Sequence, residues 1–388
     1  GDGQGPGASH RPQLAARDAG ARALLLPAAN QREAALVEEL PLQPATSLSE
    51  ALQWLKDPSQ PPLCHGSPSP GASADPAEQT LGDLSAVQGQ AHGRRALEIA
   101  AAEFGGNGDF LHQLLPALSR SEQLELTQLY SVAGLLPASG GLLQQRPFRS
   151  PHHSCTSAAL VGGGSQLRPG ELALAHRGVL FLDELAEFRR DVLNQLRQPL
   201  EQGELWLSRA RQRLRFPCSV NLVAATNPCA CGWAGDPERT CSCGTGLQQR
   251  YWSRLSGPLL DRIDLQVVMR RLEGSTLGAG YRQSVGAEAS AAVRERVEAA
   301  RQRMLSRNPA GVNNSQLTAN ALRSCGAVQL SALDLWQQAI DQRGLSARAA
   351  ERVLRVGRTI ADLEGAEQVG ASAIAEALSY RSFDQRRG

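Results

Sequence analysis

The sequence predicts an α/β protein with a separate helical unit toward its C-terminal end, and three observations carry that expectation. Between Arg149 and Leu272 the chain alternates strand-like runs, helix-like runs and Gly/Pro turns, the pattern of strands and helices packed in layers. At 179–184 it reads Val-Leu-Phe-Leu-Asp-Glu, an apolar run suited to a buried parallel strand and closed by two adjacent carboxylates. From Glu288 to Tyr380 apolar residues recur at spacings of three and four, as in a small helical bundle.

The elements follow in chain order. Residues 1–10 are Gly-rich and polar without periodicity, and are expected to be disordered. Ala21-Arg-Ala-Leu-Leu-Leu-Pro reads as a strand, and Gln31–Leu40 and Ser47–Lys56 read as short amphipathic helices, the second opened by Thr46 or Ser47. This piece is too short to bury a core alone, so it must dock or be a remnant. Asp57 to Asp83 is dense in Pro, Ser and Gly and reads as a linker. Gln88–Ala102 is an expected helix with an apolar face at Ala91, Leu97 and Ile99 to Ala101, broken by residues 103–109; Leu111–Leu118 and Ser121–Val132 follow as helices.

A chain of 388 residues with 41% apolar content is ordinary for a soluble protein of two or three domains. A net charge of +2 restricts any nucleic-acid surface to a local patch. No apolar run is long enough for a bilayer, and the N-terminal stretch lacks signal-peptide features, so a cytoplasmic protein without membrane contact is expected.

The strand at 179–182 followed by Asp183 and Glu184 has the form of a Walker B motif, with its carboxylates at the strand end where open α/β sheets bind ligands. Asp183 would hold Mg²⁺ and Glu184 would orient an attacking water. The plain alternative is a core strand capped by surface acids. A Walker A loop needs G-x-x-x-x-G-K-[ST], because backbone amides and a Lys ammonium hold the phosphates. The chain has one Lys, Lys56, with no glycine loop before it. Ser219-Val-Asn-Leu-Val-Ala-Ala is a second strand; it runs into Thr226-Asn-Pro, where Asn227 could sense a phosphate or simply form a turn. Arg262 lies in Gly257-Pro-Leu-Leu-Asp-Arg-Ile-Asp-Leu, placed to stabilise transition-state charge in a neighbour's site. In Leu345-Ser-Ala-Arg, Ser346 caps a helix and Arg348 occupies its first turn, where a cation opposes the helix dipole and calls for an anionic partner.

In this order and spacing the segments resemble the AAA+ ATPases, and more closely the Mg-chelatase-like branch known as the ComM/YifB family of bacterial helicase-type proteins. The resemblance rests on Arg146-Pro-Phe-Arg-Ser-Pro-His-His, Gly162-Gly-Gly-Ser, Arg168-Pro-Gly-Glu through Asp183-Glu184, Asn227-Pro-Cys-Ala-Cys-Gly and Gly344-Leu-Ser-Ala-Arg, and covers about residues 15–383. It implies an AAA+ P-loop NTPase-type core over 83–275, a C-terminal helical lid over 288–383, a linker at 58–82 and, at 1–57, the remnant of a Lon-protease-like domain. It also implies Walker B roles for Asp183 and Glu184, sensor roles for Asn227 and Arg348, an arginine finger at Arg262, and ATP with Mg²⁺ as cofactors. DNA as a partner, competence-related DNA processing and assembly into a homo-oligomeric ring such as a hexamer, or into a mixed assembly, follow from it as well. The chain departs from the family between Ala102 and Leu111, where Gly105-Gly-Asn-Gly-Asp stands in place of a first core strand and Walker A loop. ATP-dependent DNA processing with weak or lost hydrolysis is therefore expected; the alternative is a degenerate scaffold that binds DNA or a partner subunit without turnover. A missing central strand would call for a rearranged or split sheet.

Two further patterns stand out. Arg209, Arg211, Arg213 and Arg215 have period two, so on one strand all four would share a face suited to a phosphate track, at a position resembling the family's pore-facing hairpin. The alternative is a solvated strand face. Cys229, Cys231, Cys241 and Cys243 form two C-x-C pairs able to close a tetrahedral Zn²⁺ site, or are loop cysteines without a ligand. His152 and His153 follow Pro151 in a loop, where structural hydrogen bonding is expected and catalytic or DNA-contacting duties are the alternative; Cys64, Cys155, Cys218 and Cys325 read as isolated filler or core thiols.

Overall fold

The computed structural model describes residues 16, 19–21, 23–34, 41–56, 64–65, 83–87, 89–104, 114, 117–136, 141–164, 167–209, 212–269, 271 and 288–381. The calls made for residues 1–10, for most of the 58–82 linker, for the Gly105–Asp109 turn and for Arg211 lie outside them.

The N-terminal unit pairs β1 (Leu24–Pro27) in parallel with β2 (Pro41–Ala45), and β3 (Cys64–His65) runs antiparallel to β2. Its buried core is Leu26, Ala34 and Leu42, with Leu24 packed against them. The helix Leu48–Lys56 starts as the polar residues before it dictate: Ser47 Oγ accepts the Glu50 N–H at 3.3 Å, and the Glu50 carboxylate accepts the Thr46 N–H at 2.7 Å.

The α/β unit contains β4 (Phe148–Arg149), the short ribbon β5 (Gly162–Gly163) with β6 (Arg168–Pro169), β7 (Val179–Leu182), the hairpin β8 (Glu204–Arg209) with β9 (Gln212–Pro217), and β10 (Asn221–Ala224). Strands β10, β7 and β4 form a parallel sheet in that order, with Asn221 beside Val179 and Phe148 beside Val179 from the other side. The apolar run therefore lies centrally, where Val179, Leu180 and Leu182 are buried. Gly178 permits this sheet: a Cβ there would stand 2.0 Å from the Pro147 carbonyl oxygen. Leu180, Leu182, Leu185, Phe188, Val192 and Leu193 belong to one core, which Phe216 and Leu259 also enter.

The C-terminal unit is helical as expected, with Ser290–Arg307, Ala319–Cys325, Leu330–Arg343, Ala347–Leu363 and Ala371–Ser379. Its core joins Val297, Met304, Val353, Ile360 and Ile374. The earlier helix Ala91–Phe104 adds Ile99, Ala101 and Ala102 to that same core, so its apolar face belongs with the C-terminal helices. The helix Arg120–Ala133 is bounded by a Ser119/Glu122 capping box and by Gly134 in the left-handed conformation. Among the described residues no helix is long and apolar enough to cross a membrane.

Candidate functional site

At the end of β7 the backbone turns sharply. Glu184 adopts φ 51° and ψ 45°, a left-handed conformation that costs a residue with a Cβ roughly 1–2 kcal/mol. Backbone pairing holds both sides of the turn, since Ala225 N–H donates to Leu182 O at 3.0 Å and Leu185 N–H to Ala225 O at 2.8 Å. Asp183 Oδ1 accepts the Glu184 N–H at 2.9 Å, and both carboxylates are exposed. The loop after β4 supplies the opposite wall: His153 Nδ1 lies 2.9 Å from Glu184 Oε2, and the His152 and His153 rings are 4.1 Å apart. Ser150, Pro151, His152, His153, Asp183 and Glu184 line a cleft of about 210 Å³.

The histidine pair thus lines the cleft, where the sequence favoured a structural role over a catalytic or DNA-contacting one. A His-His pair just past a strand parallel to the carboxylate strand was the available signal. At the opposite end of β7 and β10, buried His176 accepts the Ser219 N–H on Nδ1 at 3.0 Å and lies 3.2 Å from Glu125 through Nε2. That contact with His176, helped by the Arg177 guanidinium, holds the Glu125 carboxyl down to about 2.

The cleft's hard oxygen donors fit Mg²⁺. Among the described residues its lining does not fit a triphosphate: two carboxylates face it, and it includes no Lys, Arg or Gly. Asn227, Arg262 and Arg348 are also absent from that lining. Asn227 is exposed beyond β10. Arg262 and Arg348 come together elsewhere, on a carboxylate the sequence did not single out. Arg262 Nη2 donates to Glu201 Oε2 at 2.5 Å and Arg348 Nη2 lies 3.3 Å from Glu201 Oε1. The side chain of Arg262 is 11% exposed and that of Arg348 68%, so Glu201 holds one fixed and one solvated guanidinium. The Arg262 contact lowers the Glu201 carboxyl below its ordinary range. Ser346 caps its helix as expected, accepting the Ala349 N–H at 3.2 Å.

The arginine run is a hairpin, which corrects the single-face expectation. Residues 210–211 separate the strands, and the register pairs Ser208 with Arg213 and Trp206 with Arg215. Arg213 and Arg215 therefore share the exposed face, while Arg209 falls on the face of Leu205 and Leu207. Arg213 stacks 4.3 Å over the Trp206 ring, Arg215 pairs with Glu204 at 2.5 Å, and Arg209 Nη1 donates to Gly164 O at 2.5 Å. The stacked Trp206 was not legible as part of this surface.

The four clustered cysteines follow β10. Their sulfur atoms all lie within 4.8 Å of one another, and Cys229 is buried. The segment is tied to the helix Thr245–Trp252, where Trp252 Nε1 donates to Pro228 O at 3.0 Å and the Thr226 and Tyr251 hydroxyls are 3.3 Å apart.

Residues 83–277 match the family model of magnesium chelatase subunit ChlI, and residues 287–381 match that of the ChlI C-terminal region. An uncharacterized protein of Mycobacterium tuberculosis is 40% identical over 390 residues, covering 96% of this chain and 75% of the relative. The competence protein ComM of Haemophilus influenzae is 39% identical, covering 96% of this chain and 74% of its own. The uncharacterized protein YifB of Escherichia coli is 39% identical over 78% of this chain and 61% of the relative.

Proposed function

Because the chain belongs to the ComM/YifB-type, magnesium-chelatase-like AAA+ family, we propose that it is a DNA-engaging AAA+-type protein whose own ATP turnover is weak or lost. The cleft lining carries this reading. Asp183 and Glu184 have the position and chemistry of a Mg²⁺-binding strand end, yet among the described residues the cleft offers a triphosphate two negative charges and no cradle. The single Lys supports it too, since Lys56 ends a helix of the N-terminal unit. Mg²⁺ bound at Asp183 would supply positive charge there, and His153 would keep the Glu184 carboxylate oriented. The binding-only limit, a scaffold without turnover, is favoured by Glu201. Its carboxylate already binds Arg262 and stands 3.3 Å from Arg348, so both guanidiniums face an acid instead of a phosphate. Assembly into a ring of like or mixed subunits belongs to the same proposal, and in it Arg262 would have to leave Glu201 to serve a neighbour.

DNA engagement falls to the exposed face of the β8–β9 hairpin. A guanidinium stacked on an exposed indole, with a second guanidinium two residues on, suits an unpaired base lying beside its phosphates. The Arg213→Ala/Arg215→Ala pair is expected to weaken binding of single-stranded DNA and flatten its salt dependence by roughly 0.7 per lost phosphate contact. A fluorescence titration across a salt series checks this. Unchanged affinity and slope would remove the hairpin from the interface.

A further inference from the structure

We propose that Cys229, Cys231, Cys241 and Cys243 hold one Zn²⁺ in a closed four-thiolate site that locks the segment beyond β10 onto the helix Thr245–Trp252. The spacing is that of ligands. Four sulfurs at about 2.3 Å from a tetrahedral Zn²⁺ stand about 3.8 Å from one another. Here the Cys229–Cys231 separation is 3.4 Å, Cys231–Cys241 is 3.5 Å and Cys229–Cys241 is 3.6 Å, and the fourth sulfur lies within 4.8 Å of all three. A disulfide would need about 2.05 Å, and all four cysteines are free.

Three N–H donors are aimed at the sulfurs. Ala234 N–H donates to Cys229 Sγ at 3.3 Å, Cys243 N–H to Cys241 Sγ at 3.4 Å, and Gln248 Nε2 to Cys241 Sγ at 3.2 Å. Donors aimed at sulfur are the outer partners that orient metal-bound thiolates. Soft thiolates select Zn²⁺ over Mg²⁺, and four protein ligands leave no position for a reacting water, so the site is structural. Gly232 and Gly235, with φ of 82° and 84°, make the turns that fold one C-x-C pair back on the other. The consequence reaches the sheet: Pro228 is bonded to Trp252 and precedes the first ligand, so the metal would fix where Asn227 stands. This holds whether or not ATP is turned over.

The test is metal content of the full chain, purified under reducing conditions without a metal-affinity step. The native chain and Cys155→Ser are expected to carry about one Zn²⁺ each, and Cys229→Ser/Cys241→Ser none. Should that double variant fail to fold, the native chain is stripped by a chelator and titrated with Co²⁺, which gives the intense visible absorption of a tetrahedral thiolate complex on binding. Zn²⁺ retained by the double variant would overturn the proposal. So would a native chain that carries no Zn²⁺ and develops no thiolate absorption with Co²⁺.

Discussion

Asp362→Ala lowers the stability of the C-terminal helical unit by about 3–5 kcal/mol, the largest loss expected from a single side chain there. Asp362 is 1% exposed, and its carboxylate accepts from Arg307 Nη1 and Nη2 at 2.5 and 2.9 Å, from Arg358 Nη2 at 3.0 Å and from Asn314 Nδ2 at 2.9 Å. These bonds tie the helix Ala347–Leu363 to Ser290–Arg307 and to the turn at Asn314–Gln316. Arg358 is fully buried, so removing Asp362 leaves its cation with only the Gly326, Ala366 and Glu367 carbonyls. A buried charge deprived of its counter-ion costs far more than the pair contributes. For that reason Asp362→Ala/Arg358→Met should lose less than Asp362→Ala alone. Urea unfolding followed by circular dichroism measures both, and a double variant less stable than the single one would contradict the charge argument.

Phe188→Ala is expected to cost a similar 3–5 kcal/mol in the α/β unit. Phe188 is 1% exposed and sits in the core with Leu182, Leu185 and Val192. It also supports the cleft from beneath: the His153 ring meets it edge to face at 6.4 Å between centroids. Loss of the ring opens a cavity under the histidine that contacts Glu184, so stability and cleft order should fall together. Phe188→Leu, which refills part of the volume, should recover most of the stability. A Phe188→Ala loss below about 1 kcal/mol would mean the core collapses around the gap.

What could be read from the sequence divides along physical lines. The strand at 179–182 was legible because four consecutive apolar residues before two acids suit a strand buried on both faces. Ser346 announced a helix start through side-chain chemistry that acts locally. β2 was missed because Pro41 and Pro44 lack the N–H groups a strand normally donates, yet Leu42 is fully buried there and pairs with Leu24. The arginine run was read with the right residues and the wrong geometry. Period two places side chains on one face only while a strand continues, and here Arg209 pairs with Gln212 in an antiparallel hairpin. Glu201 escaped notice because an acid on a polar helix looks like solvated surface; its partners lie 61 and 147 positions away. The contact of His153 with Glu184 was hidden likewise, since the two sit in separate turns 31 positions apart. Local pattern reports secondary structure, whereas ion pairs distant in sequence emerge only when strands and helices are brought together.

The central claim is that this AAA+-type chain engages DNA while its carboxylate strand end no longer drives turnover. ATP hydrolysis by the native chain and by Glu184→Gln, each with and without single-stranded DNA and with DNA binding followed in the same samples, tests it most directly. Both chains should bind DNA and hydrolyse ATP at the same background rate. A native rate that rises with DNA and collapses in Glu184→Gln would contradict the claim and show that phosphates are held by means other than a Walker A loop.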